Sequence, residues 1–235
     1  SSAIKKYADL FGVACGEKNI LFTNNDSAYE TAISLIQKGI KVQVIIDNRE
    51  EVDSKLIKET EKNNIKIYKG YTIVDTFGYR RINNVSIMKL SKDGQKVIGS
   101  KENISCDSLG ISGGWTPAVH LFTQSGGKLK FRDDDQVFIP NTNPSNQISI
   151  GSCKGDFTLD EILINAPKLL KEFLNIKKTE YENIEIYSAF NKSKRNIWLL
   201  PSNKIVGKTK SFVDFQNDVT AKDIKLALRE GFRSI

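Results

Sequence analysis

The chain has 235 residues, 39% of them hydrophobic and 27% charged, the proportions of a soluble globular protein with a sizeable core and one large or two small domains. No run of about 18 apolar residues is present, and the start SSAIKKYADLFG lacks a signal-peptide apolar region, which argues against a membrane span and a secretory leader. The formal charge of +7 is not a nucleic-acid signature, because residues 1–175 are nearly balanced and the 12 basic side chains of residues 176–235 are interrupted by 7 acidic ones.

In chain order, Lys18 to Arg49 reads as a β-α-β unit. Asn19 to Thr23 (NILFT) is an apolar run suited to a buried parallel strand. Asp26 to Lys38 is expected to be helical, with Ala28, Ala32, Ile33, Leu35 and Ile36 on one face. Asn25 or Asp26 can cap it, Ser27 and Glu30 have capping-box spacing, and Gly39 is a left-handed stop. Lys41 to Ile46 is the second strand, ending at Asp47.

Glu50 to Asn63 is expected as a charged helix and Ile65 to Lys69 as a third strand. Thr72 to Ile98 reads as an antiparallel meander with a turn at Ser91-Lys92-Asp93-Gly94. Ser105 to Ser112 returns as an apolar strand into Gly113-Gly114. This order is that of a Rossmann-like α/β domain of the glutathione-reductase type, a parallel sheet with a meander. Lys128 to Pro140 suggests a hairpin, Gln147 to Ile150 a short strand, and Asp156 to Asn175 a helix broken or kinked at Pro167. Gly151 to Asp156 has the shape of a Gly-x-x-x-Gly-Asp turn from a second nucleotide domain. Beyond Ile176 the pattern suggests linker and strands, then a helix from Thr220 to Glu230 stopped by Gly231, with Asp218 or Thr220 as its cap.

The chemistry-bearing residues are sparse. Aligned on the first strand, Thr23, Asn25 and Ala28 stand where a dinucleotide fold usually has the glycines of G-x-G-x-x-G. Asp26 puts a carboxylate at the helix start, favourable for capping and unfavourable for a phosphate. Ser112, Gly113, Gly114 and Trp115 follow a parallel strand, at the sheet edge where ligands bind in open α/β folds; a tight crossover packed by Trp115 is the other reading. Cys15, Cys106 and Cys153 are too far apart for a CxxC motif and match a reducing cytoplasm. Cys153 reads as a structural thiol. The lone His120, in the apolar run Ala118 to Phe122, reads as a core or hydrogen-bonded structural residue, and a zinc site or His triad is disfavoured. No catalytic residue and no metal site are expected.

Three segments in this order, ILFTNNDSAYETA within Asn19 to Arg49, CDSLGISGGWTPAVHLFTQSGGKLKFRDDDQVFIP from Cys106 to Pro140, and SFVDFQNDVTAKDIKLALREGFRSI from Ser211 to Ile235, resemble the alpha subunit of heterotetrameric sarcosine oxidase. The resemblance implies a longer chain extending before Ser1 and past Ile235, consistent with a first residue other than Met. It implies four parts: a lead-in (1–16), an NAD-binding Rossmann-like domain (17–114), the C-terminal half of an FAD/NAD-type domain (115–175), and a linker with the start of a folate-binding, aminomethyltransferase-like region (176–235). NAD is the cofactor implied here, with Thr23, Asn24, Asn25, Asp26 and Ser27 around the phosphates. Asp47 would accept from the adenosine ribose, or stand as a surface turn acid; Asn48 and Arg49 flank it, and Arg49 would stack on adenine, pair with phosphate or lie solvated.

For the whole enzyme the resemblance implies oxidative demethylation of sarcosine to glycine, with hydrogen peroxide and formaldehyde or methylene-tetrahydrofolate. FAD, FMN and tetrahydrofolate are its further cofactors, beta, gamma and delta subunits and the rest of the alpha chain its partners, and the cytoplasm its place. This stretch would not be catalytic alone. Two alternatives remain: the alpha subunit of a related amine or amino-acid dehydrogenase, and a non-catalytic scaffold whose nucleotide site has decayed.

Overall fold

Five consecutive buried residues, Asn19–Thr23, form β1, and their apolar run fits a strand covered on both faces. At its start Asn19 Nδ2 donates to the carbonyls of Gly16 and Lys41 at 2.8 and 2.9 Å, while Asn19 Oδ1 is buried without a donor. In the computed structural model, which describes residues 1–144, 146–176, 195–201, 210–214 and 216–232, β1 lies at the centre of a parallel sheet. Its neighbours are β2 (Val42–Asp47) and β7 (Ser108–Ser112), and β3 (Lys66–Lys69) extends the β2 side.

Two helices cover one face of that sheet. α1 (Ser2–Phe11), in the segment expected as a lead-in, buries Ile4 and Ala8, four residues apart and so on one side. It lies close to β7 because residue 110 is glycine: a Cβ there would stand 2.8 Å from both Ile4 Cδ1 and Leu21 Cδ2. α2 (Ser27–Gln37) buries Ala28, Tyr29, Ala32 and Leu35 on the same core, and Gly39 at φ +76° ends it as expected. α3 (Lys55–Lys62) is shorter than expected. Residues 50–53 remain outside the helix, and Ser54, in extended conformation, accepts the Ile57 N–H at 3.3 Å and sets the start.

The opposite face packs on the meander β4 (Tyr71–Gly78), β5 (Ile82–Leu90) and β6 (Val97–Ser105), where Val85, Ile87 and Ile104 meet Ile20, Phe22, Val44 and Ile46. The Ser91–Gly94 turn closes with Gly94 N–H on the Ser91 carbonyl at 2.9 Å. The expected strand Ser105 to Ser112 is divided: Ser105 ends β6, and β7 begins only at Ser108.

A short helix α4 (His120–Gln124) and the expected hairpin, β8 (Lys128–Arg132) with β9 (Val137–Thr142), follow. The strand expected at Gln147 to Ile150 is absent; those residues are irregular and lead into a 3-10 turn at Gly151–Cys153. α5 (Leu159–Phe173) starts after Thr158 and runs unbroken through Pro167, so proline interrupts one backbone bond and not the helix. The expected helix at the end is α6 (Ala221–Arg229), with Thr220 and not Asp218 as its cap, preceded by β10 (Phe212–Asp214) and β11 (Val219–Thr220). Expected linker residues 177–194 and 202–209 lie outside the described residues.

Candidate functional site at the carboxyl edge of the parallel sheet

The register places Thr23 beside Asp47 on one side and beside Ser112 on the other. The three expected loops, 23–27, 47–49 and 112–115, therefore leave the sheet at one edge. Carboxyl ends of parallel strands at a crossover are where ligands sit in such folds.

The first loop is bonded to itself and to its neighbour. Thr23 Oγ1 donates to the Asn25 carbonyl at 2.7 Å. Asn25 Nδ2 donates to Asn24 Oδ1 at 2.7 Å and to the Ser112 carbonyl at 3.1 Å. Asn25 Oδ1 accepts the Ser27 N–H at 3.0 Å and the Ser27 hydroxyl at 2.7 Å, which makes Asn25 the side chain that serves the start of α2. Asp26, at the cap position, makes no capping bond. Glu30 completes no capping box and pairs with Lys5 of α1 at 2.6 Å.

Asp26 turns instead to Arg49, whose Nη2 donates to its Oδ1 at 2.9 Å. The same guanidinium binds Asp47: Nη2 reaches Oδ2 at 2.7 Å and Nε reaches Oδ1 at 3.0 Å. Asp47 Oδ1 also accepts the Arg49 N–H, and Oδ2 accepts the Tyr29 hydroxyl at 2.8 Å. Asp26, Asp47 and Arg49 are 1%, 0% and 3% exposed, which excludes both the surface-acid reading of Asp47 and the solvated reading of Arg49. Burial works to lower the Arg49 pKa, but bonds to Asp47 and then Asp26 outweigh it and the net direction is upward. Burial first, and Asp47 second, push the Tyr29 hydroxyl far above the ordinary tyrosine range.

Asn48 stands beside this cluster at the end of β2. It is 3% exposed; its Nδ2 donates to the Arg195 carbonyl at 3.1 Å, and its Oδ1 is buried with no donor. Arg195 belongs to a strap, residues 195–198, that crosses this edge. Its guanidinium donates to the carbonyls of Asn48, Ser91 and Lys92 at 2.9, 2.8 and 2.7 Å. Asn196 accepts from Asn24 at 3.3 Å and donates to the Asp135 carbonyl at 3.1 Å. The strap's contacts join residues more than sixty positions apart, a link that composition and spacing do not reveal.

At the start of α2 lies a cavity of about 560 Å³. It is lined by Asn25 and Asp26, by the stacked pair Trp115 and Phe157, and by Arg132, Gly155 and Asp156. Gly113 and Gly114 are exposed, and the Ser27 and Ser112 hydroxyls are in hydrogen-bonding contact. Sequence reading missed Asn48's orphan acceptor, the strap and Phe157; an aromatic immediately after the Gly-Asp turn was the one available signal for Phe157.

His120 is exposed at the start of α4, which overturns its expected core place; the buried side chain of that run is Phe122. Cys106 is buried, and burial followed by the Asp107 charge raises its thiol pKa, disfavouring a thiolate. Among the described residues no cluster of metal-binding side chains occurs and no helix is long and apolar enough to cross a membrane.

A family model, the sarcosine oxidase A3 domain, matches residues 208–235. Sarcosine oxidase subunit alpha of Corynebacterium sp. (strain P-1) is 27% identical over 246 residues, covering all of this chain and 25% of that protein. The same subunit of Rhizobium meliloti (strain 1021) is 27% identical over 240 residues, covering all of this chain and 22% of that protein. The chain thus spans about a quarter of the length of these curated relatives. Thioredoxin reductase of T. acidophilum matches the fold with a TM-score of 0.52 at 16% identity, covering 67% of this chain and 52% of that one. Along its whole length this chain is related in sequence to one stretch of the sarcosine oxidase alpha subunits, and it carries a Rossmann-like α/β fold.

Proposed function

We propose that this chain is the nucleotide-binding region of the alpha subunit of a multi-subunit sarcosine-oxidising enzyme, and that it holds NAD at the carboxyl edge of its parallel sheet without itself oxidising substrate. The observation that carries the cofactor reading is Asn48 Oδ1. It is a buried acceptor without a donor at the end of β2, where dinucleotide folds hold the adenosine ribose. A ribose hydroxyl supplies the missing donor. Asp47 is not assigned the ribose, because its own oxygens are taken by Arg49 and Tyr29.

The pyrophosphate fits less well at the start of α2. Asn25 fills the position of the second fingerprint glycine and takes the Ser27 N–H, and Asp26 places a carboxylate where a phosphate would lie. The ribose end is therefore assigned to Asn48, and the phosphates to the outer rim of the cavity, nearer Ser112 to Trp115. NAD, where bound, supplies a redox-active pyridinium ring; in this reading the chain binds and orients it. The four-part division at residues 16, 114 and 175 belongs to the same proposal, as do FAD, FMN, tetrahydrofolate and the beta, gamma and delta subunits of the complete enzyme.

The Asp26–Arg49–Asp47 cluster favours a second reading, a scaffold whose nucleotide site has closed on its own side chains. The deciding experiment is to denature the purified chain and assay the supernatant for NAD, FMN and FAD by mass spectrometry. NAD near one per chain, lost in Asn48→Ala, supports the binding reading. No nucleotide, and no thermal shift with added NAD, supports the scaffold.

A further inference from the structure

We propose that the cavity between the start of α2 and residues 132–161 is a site for a flat organic cation, a pyridinium or other N-alkylated aromatic ring. Its volume of about 560 Å³ lies in the range of small-molecule sites. Three independent features set the ligand's chemistry.

The first is an aromatic wall. The Trp115 and Phe157 rings stack with centroids 6.2 Å apart and planes 27° from parallel. That spacing admits no third ring between them, so a ligand ring lies against the wall. Trp115 is 46% exposed and has surface to offer. Trp is the strongest cation–π partner among the side chains.

The second is charge. Six of the lining residues carry carboxylates; Asp26, Glu30 and Asp135 are paired with Arg49, Lys5 and Arg132, and Asp134, Asp156 and Glu161 keep the lining acidic. Arg132 is committed to Asp135 and to the Gly155 carbonyl. Asp156 lies on the cavity wall, and its Oδ2 is buried without a hydrogen-bond partner. A buried carboxylate oxygen in that state is stabilised by an incoming positive charge and destabilised by an anion.

The third is the state of the two helix starts that border the cavity, those of α2 and α5. Helix N-termini attract anions. Here each already has a carboxylate of its own. Asp26 stands at the start of α2, and Glu161 reaches back to the N–H groups of Phe157 and Thr158 at 3.1 and 3.2 Å. At α5 the usual attraction for phosphate is thereby cancelled; at α2, where Asp26 is paired with Arg49 and makes no capping bond, it is weakened because Asn25 already takes the Ser27 N–H.

The cation's source is either the oxidised ring of the dinucleotide proposed above or a free N-alkyl pyridinium. The test uses the Trp198→Phe chain, which leaves Trp115 as the sole tryptophan reporter. Its fluorescence is titrated with 1-methylnicotinamide, neutral nicotinamide and anionic nicotinate. Saturable quenching in the order cation, neutral, anion is expected. Asp156→Asn should weaken the cation about tenfold and leave nicotinamide nearly unchanged, a difference of the size expected for one desolvated charge contact. Phe157→Leu, with Trp115 retained, should weaken both cation and neutral ring. Absence of saturable quenching, or nicotinate binding as well as the cation, overturns the proposal. A parallel NAD titration separates the two assignments. Methylnicotinamide binding without NAD binding keeps the cavity and removes the dinucleotide reading; NAD binding without methylnicotinamide binding does the reverse.

Discussion

Arg49 and Asp47 are two residues apart in sequence and joined through three side-chain bonds of 2.7 to 3.2 Å, both of them sealed from solvent. The guanidinium also reaches Asp26, so one cation serves two buried carboxylates from different loops. A planar fork of donors can do this; an ammonium cannot reproduce it.

Arg49→Met should therefore leave two carboxylates without their shared cation. A loss of about 3–5 kcal/mol is expected, the usual cost of removing one partner of a buried pair. Urea denaturation followed by circular dichroism gives the value. Arg49→Lys should recover only part of the loss. A wild-type midpoint in the Met variant would show that the cluster does not form in solution.

Tyr29 adds a pH dependence. Burial, and then Asp47, keep its hydroxyl protonated well past the ordinary tyrosine range. The native chain thus retains a proton that the unfolded chain releases above about pH 10. Stability from this group is complete below that pH and declines as pH rises beyond it. Tyr29→Phe should cost about 1.5–3 kcal/mol near neutrality, the worth of a bond to a charged acceptor. It should also flatten the decline above pH 10. Parallel alkaline profiles for the two chains would contradict this.

Gly110 fixes the approach of α1 to β7. A methyl group there meets Ile4 and Leu21, both buried. Gly110→Ala should destabilise by about 1–3 kcal/mol through overpacking. The double variant Gly110→Ala, Ile4→Val should regain part of that loss in a thermal melt, because the second change removes the clashing methyl.

The strap offers a local test. Arg195→Ala removes the donors that hold the carbonyls of Asn48, Ser91 and Lys92. Amide exchange should accelerate at 48–50 and 91–96 and stay unchanged in β1 and β5. Uniform acceleration would mean global destabilisation and no clamp.

The β-α-β unit was legible because its signals are local. The apolar run of β1, the helical spacing of α2 and the stop at Gly39 all lie within 21 residues. Thr23, Asp47 and Ser112 were each legible as strand ends, and the parallel pairing brings them to one edge. What each of those residues bonds to was not. Whether Asp26 caps a helix or pairs with Arg49 depends on a loop 23 positions away, and the local propensity for capping lost to a buried charge. His120 was misplaced because an apolar run in a short helix does not reveal which side faces in; that side belongs to Phe122. The strap depends on contacts across more than a hundred residues, for which no periodicity gives a cue.

The Arg195 guanidinium grips main-chain oxygens at Asn48, Ser91 and Lys92 and asks nothing of the Ser91 and Lys92 side chains. Every residue type presents a carbonyl. The guanidinium clasp is therefore indifferent to which side chains stand at 91 and 92, and that turn is at liberty to diverge while the fastening across the edge persists.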